Sequence, residues 1–382
     1  MKTALVLVFS NLKHDARVKR QVDWLRKRFA VTVVCFDAEE TPGVTFVRIQ
    51  QTRLSLARKA LLAAALLLRT YGIAYRLFHD YGFLRNQLTD NFDLIVANDI
   101  DTLPLAFQLQ RHAKIVFDAH EYAPRHFENN KVWRTFFQPF YIHLCRKYIP
   151  RTAAMLTVGE GLANEYAKSF HVTPVIIRNA TRYVDIQPGE VLPDRIRLVH
   201  HGIANASRRL ELMVEMMNYL DQRFSLDMIL MTSDYASEKT KAYIRSFKDN
   251  AEKHPRITIL PPVKSDHVVS IINGYDIGVF LIPPINFNYA NTLPNKLFDF
   301  IQARLGIAIG PTPEMAAIVE RYGNGVVSED FEPQALAAML NKLNAEEVVR
   351  FKNQSAIAAT EMNAEKNEAI FGALIEKILS LE

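Results

Sequence analysis

Short runs of aliphatic and β-branched residues alternate with longer stretches of helical periodicity along almost the whole chain. In the first half, residues 4–9, 31–36, 94–97, 115–118 and 155–158 are nearly continuous apolar runs, the pattern of strands buried on both faces of a parallel sheet. Between them, residues 17–28, 54–78, 103–111 and 133–148 read as helices. The rhythm restarts after Arg182. Strands are predicted at 196–200, 227–231, 257–260, 277–281 and 307–309, and helices at 210–220, 240–253, 265–273, 296–303 and 313–321. Residues 183–194 hold Pro188, Gly189 and Pro193, a linker composition.

Such alternation implies an α/β chain with two doubly wound domains, each a parallel sheet with helices on both faces. The expected boundaries are 1–182, 183–360 and a last segment, 361–382, whose helix at about 363–381 would pack back on the first domain. Open α/β sheets bind ligands outside the carboxyl ends of their strands. Two such domains facing each other would create an interdomain cleft suited to joining two substrates.

Composition narrows the function classes. At 382 residues each half is long enough to bury a core of its own. Two cysteines, Cys35 and Cys145, exclude a disulfide scaffold or a cysteine-rich metal site and fit a reducing compartment. The apolar start, residues 4–9, is too short for a signal peptide, and residues 11–20 are densely polar. No apolar stretch approaches the roughly 18 residues of a membrane span. A cytoplasmic protein is expected, at most peripheral on the inner face of the cytoplasmic membrane. The formal charge of +5 suits phosphate-bearing small molecules or an anionic membrane surface. No helix-turn-helix, zinc-finger or aromatic RNA-binding signature occurs, so no nucleic-acid partner is expected.

Four clusters carry candidate chemistry. Strand 115–118 ends in Asp118-Ala119-His120-Glu121, where a histidine can meet a cleft and shuttle a proton; the bland reading has Asp118 capping a helix and His120 satisfying local backbone. Asn98-Asp99-Ile100-Asp101 follows strand 94–97; the Asp-x-Asp pair could hold a divalent metal, but Asp101 also reads as an N-cap, leaving Asp99 as a cleft-facing carboxylate. Strand 196–200 runs into His201-Gly202-Ile203 and then Ser207-Arg208-Arg209-Leu210-Glu211, a glycine and two arginines placed to meet a diphosphate. Finally, in Asn291-Thr292-Leu293-Pro294-Asn295-Lys296-Leu297-Phe298-Asp299, proline opens a helix, Lys296 brings charge to its positive end, and Asp299 shares its face.

Taken in order and spacing, these motifs resemble family 4 of the retaining nucleotide-sugar glycosyltransferases, of bacterial surface-polysaccharide type, which have the GT-B fold. The resemblance also rests on Asp15-Ala16-Arg17-Val18, on the run from Leu156 to Ala163, on Val175-Ile176-Ile177-Arg178-Asn179-Ala180 and on His200-His201-Gly202. It implies two facing Rossmann-like domains, an acceptor-binding first one and a nucleotide-sugar-binding second one. His120, with Glu121 and Asp99, would serve the reacting centre. Gly202, Arg208, Arg209, Asn291, Thr292, Asn295, Lys296, Asp299 and Asn179 would surround a UDP- or GDP-sugar, with Arg208 and Lys296 on the diphosphate and Asp299 on the ribose. No metal and no other cofactor is implied. The acceptor would be a glycan or a lipid-linked one, in cell-surface polysaccharide or glycolipid synthesis. The sequence departs from the pattern in having Asn291 where many members carry glutamate, and in lacking the glycine-rich loop after the first strand, replaced by residues 10–15.

Two rival functions stay open: a nucleotide-sugar epimerase of similar fold, and a degenerate, non-catalytic nucleotide-sugar binder. A further feature is the 54–78 stretch, with Arg58-Lys59, an apolar run to Leu68, then Arg69, Tyr71, Tyr75 and Phe78; residues 133–141 add a second aromatic and basic patch. Either segment reads as an ordinary helix buried against the sheet or as a basic, apolar-faced element lying on an anionic bilayer.

Overall fold

The computed structural model describes residues 1–88, 91–232 and 236–380. The described chain divides into two units. The first holds residues up to Arg178, the short segment Asn286–Asn288 and the C-terminal residues from Glu368; the second holds the remainder. Each unit is built on one parallel sheet.

In the first unit the strands are β1 (Thr3–Leu7), β2 (Ala30–Cys35), β3 (Val44–Arg48), β4 (Leu94–Asn98), β5 (Lys114–Ala119), β6 (Ala154–Thr157) and β7 (Val175–Ile176), in the order β3-β2-β1-β4-β5-β6-β7. In the second they are β8 (Ile196–Ile203), β9 (Phe224–Met231), β10 (Ile257–Leu260), β11 (Ile277–Phe280), β12 (Gly306–Ile309) and β13 (Gly325–Val327), in the order β10-β9-β8-β11-β12-β13. In both sheets the chain walks outward from its first strand in one direction and then crosses to the other side. The strand order therefore reverses between β1 and β4, and again between β8 and β11.

Burial explains why the strands read as continuous apolar runs. Leu5 and Leu7 belong to the core on one face of the first sheet, Ala4 and Val6 to that on the other. Ile196 and Leu198 similarly oppose Val199 in the second sheet. Period-two alternation puts neighbours on opposite faces, so a strand covered on both sides must be apolar throughout. Residues from Glu368 on, in helix Ala364–Ser380, add Phe371, Ile375 and Ile378 to one core of the first unit, with Phe371 edge-on to Trp24 at 5.1 Å. The sequence reading carried this helix to Leu381, which lies outside the described residues.

Several elements differ from the sequence expectation. The predicted helix 54–78 is two helices, Leu56–Leu67 and Tyr71–Phe78. Arg69 adopts the left-handed conformation (φ +57°), and the amides of Arg69 and Thr70 donate back to Leu66 O and Ala65 O. This double bond-back closes the first helix although no glycine marks it. Strand β8 runs three residues beyond its predicted end, so Gly202 lies within it rather than in a following loop. Asp101 caps no helix: helix Leu103–Leu109 is preceded by Thr102, and the Asp101 carboxylate accepts from His79 Nε2 at 2.9 Å and Tyr141 Oη at 3.3 Å. Strands β3, β7 and β13 and helices Glu160–Phe170, Pro333–Asn341 and Ala345–Glu361 were not predicted.

One close approach positions the candidate site. Helix Asn295–Gln302 lies so near β11 that a Cβ on Gly278 would stand 2.3 Å from Cγ of the buried Phe300 ring. Gly278→Ala is therefore expected to destabilise the protein by about 1–3 kcal/mol through overpacking. A lowered midpoint in urea unfolding followed by circular dichroism checks this; an unchanged midpoint would mean that the ring and helix have room to move.

Candidate functional site

At the β8/β11 reversal, the carboxyl end of β8 presents His200, His201 and Gly202 in succession. His200 is fully buried, and its Nδ1 lies 2.9 Å from Val279 O on β11. A carbonyl only accepts, so Nδ1 carries the hydrogen and Nε2 keeps a lone pair. That lone pair meets Lys296 Nζ at 3.3 Å. Lys296 is only 4% exposed, and its ammonium also stands 4.0 Å from the centroid of the Phe280 ring. Gly202 makes room for it. The backbone there has φ +132°, and a Cβ would come within 3.2 Å of Nζ; glycine alone satisfies both constraints.

Among the described residues no carboxylate lies within 4 Å of Lys296 Nζ. Burial, reinforced by Arg208 and only partly opposed by Asp299, holds the lysine well below its ordinary pKa. Burial and then the Lys296 charge likewise keep His200 neutral. His201 is pushed down to about 3 by burial and by Lys296, although its Nε2 stands 3.5 Å from Asp299 Oδ2. The pair is thus a neutral imidazole beside a carboxylate. His201 Nε2 is buried and makes no hydrogen bond. Asp299 also accepts from Thr181 Oγ1 at 2.5 Å.

Beyond β8 the chain turns through a single 3-10 turn, Ala206–Arg208. The Asn205 side chain accepts from Ser207 N at 3.0 Å, and Ser207 Oγ lies 2.8 Å from Tyr289 Oη. This fixed loop carries Arg208, half-buried and close enough for its charge to act on both Lys296 and His200. Arg209 departs from the expected grouping. It takes the left-handed conformation (φ +48°) and is exposed. Asn291 and Thr292 are half-buried just ahead of helix Asn295–Gln302, Asn295 is its exposed first residue, and Asn179 is half-buried at the first position of the unit.

In the first unit the corresponding reversal lies between β1 and β4, bridged by Asn98 Nδ2 donating to Leu7 O at 3.3 Å. Asp99 is left-handed (φ +61°), a conformation that aspartate tolerates. Its carboxylate accepts the His120 backbone amide at 3.1 Å and faces Nδ1 of the ring at 3.5 Å. The other ring nitrogen lies 3.2 Å from Asn98 Oδ1 and 3.6 Å from Asp118 Oδ2. Asp118 caps no helix; it is fully buried and gripped by the Arg17 guanidinium, Nε to Oδ2 at 2.8 Å and Nη2 to Oδ1 at 2.6 Å, with Gln21 donating as well. Burial works against charge on His120, but the facing Asp99 and Asp118 carboxylates outweigh it and raise its pKa to about 9. Glu121 turns away from this group to pair with His126 Nε2 at 2.7 Å. The metal reading of Asp99 and Asp101 splits in the same way, since the two carboxylates serve different partners.

The structure thus brings Gly202, Lys296 and the charge of Arg208 together, seats Asp299 beside His201, and couples Asp99 to His120. Sequence reasoning gave no role to His200, Phe280, Thr181, Asn98 or Arg17. The pairing of His200 with Val279 spans 79 residues, and no local signal announces it.

No family model matches the sequence, and no curated protein does. Solved structures do match over the whole chain. A sucrose-phosphate synthase from Thermosynechococcus elongatus superposes with a TM-score of 0.76 at 10% identity, covering 100% of both chains. A trehalose-6-phosphate protein of E. coli, bound with UDP-2-fluoro glucose, gives 0.72 at 11% identity over 100% of both. HepE of Anabaena, in complex with UDP, gives 0.68 at 12% identity over 99% of this chain and 100% of its own. At such identities the likeness shows the fold: the chain has the GT-B fold, with Rossmann-like parallel sheets.

The His120 environment has a measurable consequence. A folded pKa of about 9 against 6.5 means that its stabilising contribution is complete below pH 6.5 and is lost as pH rises through 9. Urea midpoints at pH 6 and pH 9 should therefore differ more for the wild-type chain than for His120→Gln. Equal pH dependence in the two would show that His120 is not held charged.

Proposed function

We propose that the chain is a glycosyltransferase that moves a sugar from a nucleoside-diphosphate sugar, UDP- or GDP-linked, to a glycan or lipid-linked acceptor. One observation carries this reading. Lys296 is a buried cation whose neighbours are a neutral imidazole and an aromatic ring, with no carboxylate within 4 Å among the described residues. A buried charge without a counter-ion is unfavourable unless an anion joins it. Its place at the strand reversal of an α/β sheet is where such folds bind nucleotides. The UDP in the Anabaena complex and the UDP-sugar in the E. coli one point to the same class of ligand.

In this reading Lys296 and Arg208 hold the diphosphate, and Asp299 with His201 holds the ribose hydroxyls. The bond from the anomeric carbon to the phosphate oxygen breaks while the acceptor oxygen bonds to the same face, so configuration is retained. The departing phosphate takes the acceptor proton. Lys296 and Arg208 stabilise the negative charge that develops on it, supplying the cationic charge that such chemistry requires. His120, held protonated, is assigned to the sugar. We place the reaction in the cytoplasm and in the synthesis of cell-surface polysaccharide or glycolipid.

Lys296→Ala and Arg208→Ala are each expected to lower kcat/KM by about 10²–10³-fold, the usual effect of removing one charge-stabilising donor. Sugar transfer at the wild-type rate in both would remove the site assignment. Stabilisation of the wild type by nucleotide without transfer to any acceptor would leave a binding protein only.

A second test separates binding from folding. Lys296→Met removes the uncompensated charge and should leave the free protein as stable or about 1 kcal/mol more so. UDP or GDP at roughly 100 times its Kd should raise wild-type stability by about 2.7 kcal/mol, and this gain should vanish in the variant. A full nucleotide-induced rise in melting temperature for Lys296→Met would place the diphosphate elsewhere.

A further inference from the structure

In the first unit, helix Leu56–Leu67 buries only Leu62, Ala65 and Leu66. Its outward positions are apolar nonetheless: Leu56 is 85% exposed, Leu61 60%, Leu67 65%, and Leu68 just past its end 75%. Ala57, Ala60, Ala63 and Ala64 fill the space between them, also exposed. On the next helix, Tyr71–Phe78, Ile73 is 49% exposed, and Phe83 beyond it 54%. Apart from Arg58 and Lys59 near its start, the helix is apolar on its exposed side as well as on its buried one, an arrangement that suits an apolar environment.

The charges on the helices of this part of the unit have a single sign. Helices Leu56–Leu67, Tyr71–Phe78, Leu84–Gln87 and Lys131–Tyr148 carry Arg58, Lys59, Arg76, Arg85, Lys131, Arg134, Arg146 and Lys147, and no acidic residue. The chain as a whole has 46 basic and 41 acidic residues, so the segregation is local. The acidic residue in the stretch 53–88 is Asp80, and it is matched by Arg58 at 3.2 Å.

We propose that this face is a docking surface for an anionic lipid bilayer. A 12-residue helix is only about 18 Å long, against roughly 30 Å of hydrocarbon, so it lies in the interface and does not cross it. The leucines enter the boundary between headgroups and acyl chains, while the long basic side chains reach back to the lipid phosphates. A protein partner would ask for different chemistry: interface centres favour Trp, Tyr and Arg anchors, and the exposed centre here is leucine and alanine. A second copy of the chain would bring like charges against like. Anionic lipid answers both features at once.

This inference does not depend on sugar transfer, and its test needs no donor. The full chain is floated with vesicles of phosphatidylcholine alone or of phosphatidylcholine and phosphatidylglycerol in equal parts, at low salt. The wild type is expected to rise with the anionic vesicles and not with the neutral ones. Leu61→Asp/Leu67→Asp alters exposed positions only, so its melting temperature should match the wild type while its bound fraction falls at least about tenfold. The proposal is overturned if the wild type stays with the unbound fraction, or if the double variant floats equally well. It is overturned also if ultracentrifugation shows a concentration-dependent dimer, abolished by the double variant, in a chain that ignores vesicles.

Discussion

A parallel sheet leaves a gap at the point where its strand order reverses, and in the second unit one imidazole crosses that gap. His200 stands on β8 and donates to the carbonyl of Val279 on β11. The hydrogen bond settles which ring nitrogen remains basic, and the basic nitrogen then receives Lys296. Gly202 must lack a side chain for the lysine to reach it, and Gly278 must lack one for the helix carrying the lysine to approach. Arg208, Asp299 and His201 are arranged around this centre. A cationic site therefore follows from the packing of a helix against two strands, with each glycine serving a distance.

The first unit solves a different problem at its own reversal. There a fully buried carboxylate, Asp118, is satisfied by the Nε–Nη2 edge of a buried guanidinium and by Gln21. Pairing of that kind is what makes a charge tolerable in a low dielectric. Its remaining electrostatic influence falls on His120, which Asp99 faces from the other side. One sheet thus ends in a neutral histidine below a cation, the other in a charged histidine between carboxylates.

The sheet architecture was legible because strands covered on both faces leave an unmistakable apolar run, and β1, β4 and β11 stood out for that reason. Strands β3 and β13 are edge strands with few buried positions, and their sequences carry no such run. The break at Arg69 was hidden because the left-handed residue is an arginine, and the signal normally sought there is glycine. In the site, Lys296, Arg208 and Asp299 were visible as motif residues whose types suit phosphate and ribose. Their company was not. The His200–Lys296 contact spans 96 positions and the Thr181–Asp299 bond 118, separations at which only the folded topology specifies neighbours. Glu121, adjacent to His120 in sequence, pairs with His126 instead, a partner that adjacency alone does not announce.

The depressed proton affinity of Lys296 also changes what crosses the boundary of the site. An anion arriving beside Nζ favours the charged form and restores the affinity that burial removed. If a diphosphate is that anion, its capture holds the lysine in its charged form, and release of the nucleotide returns the group to the lower proton affinity that burial sets.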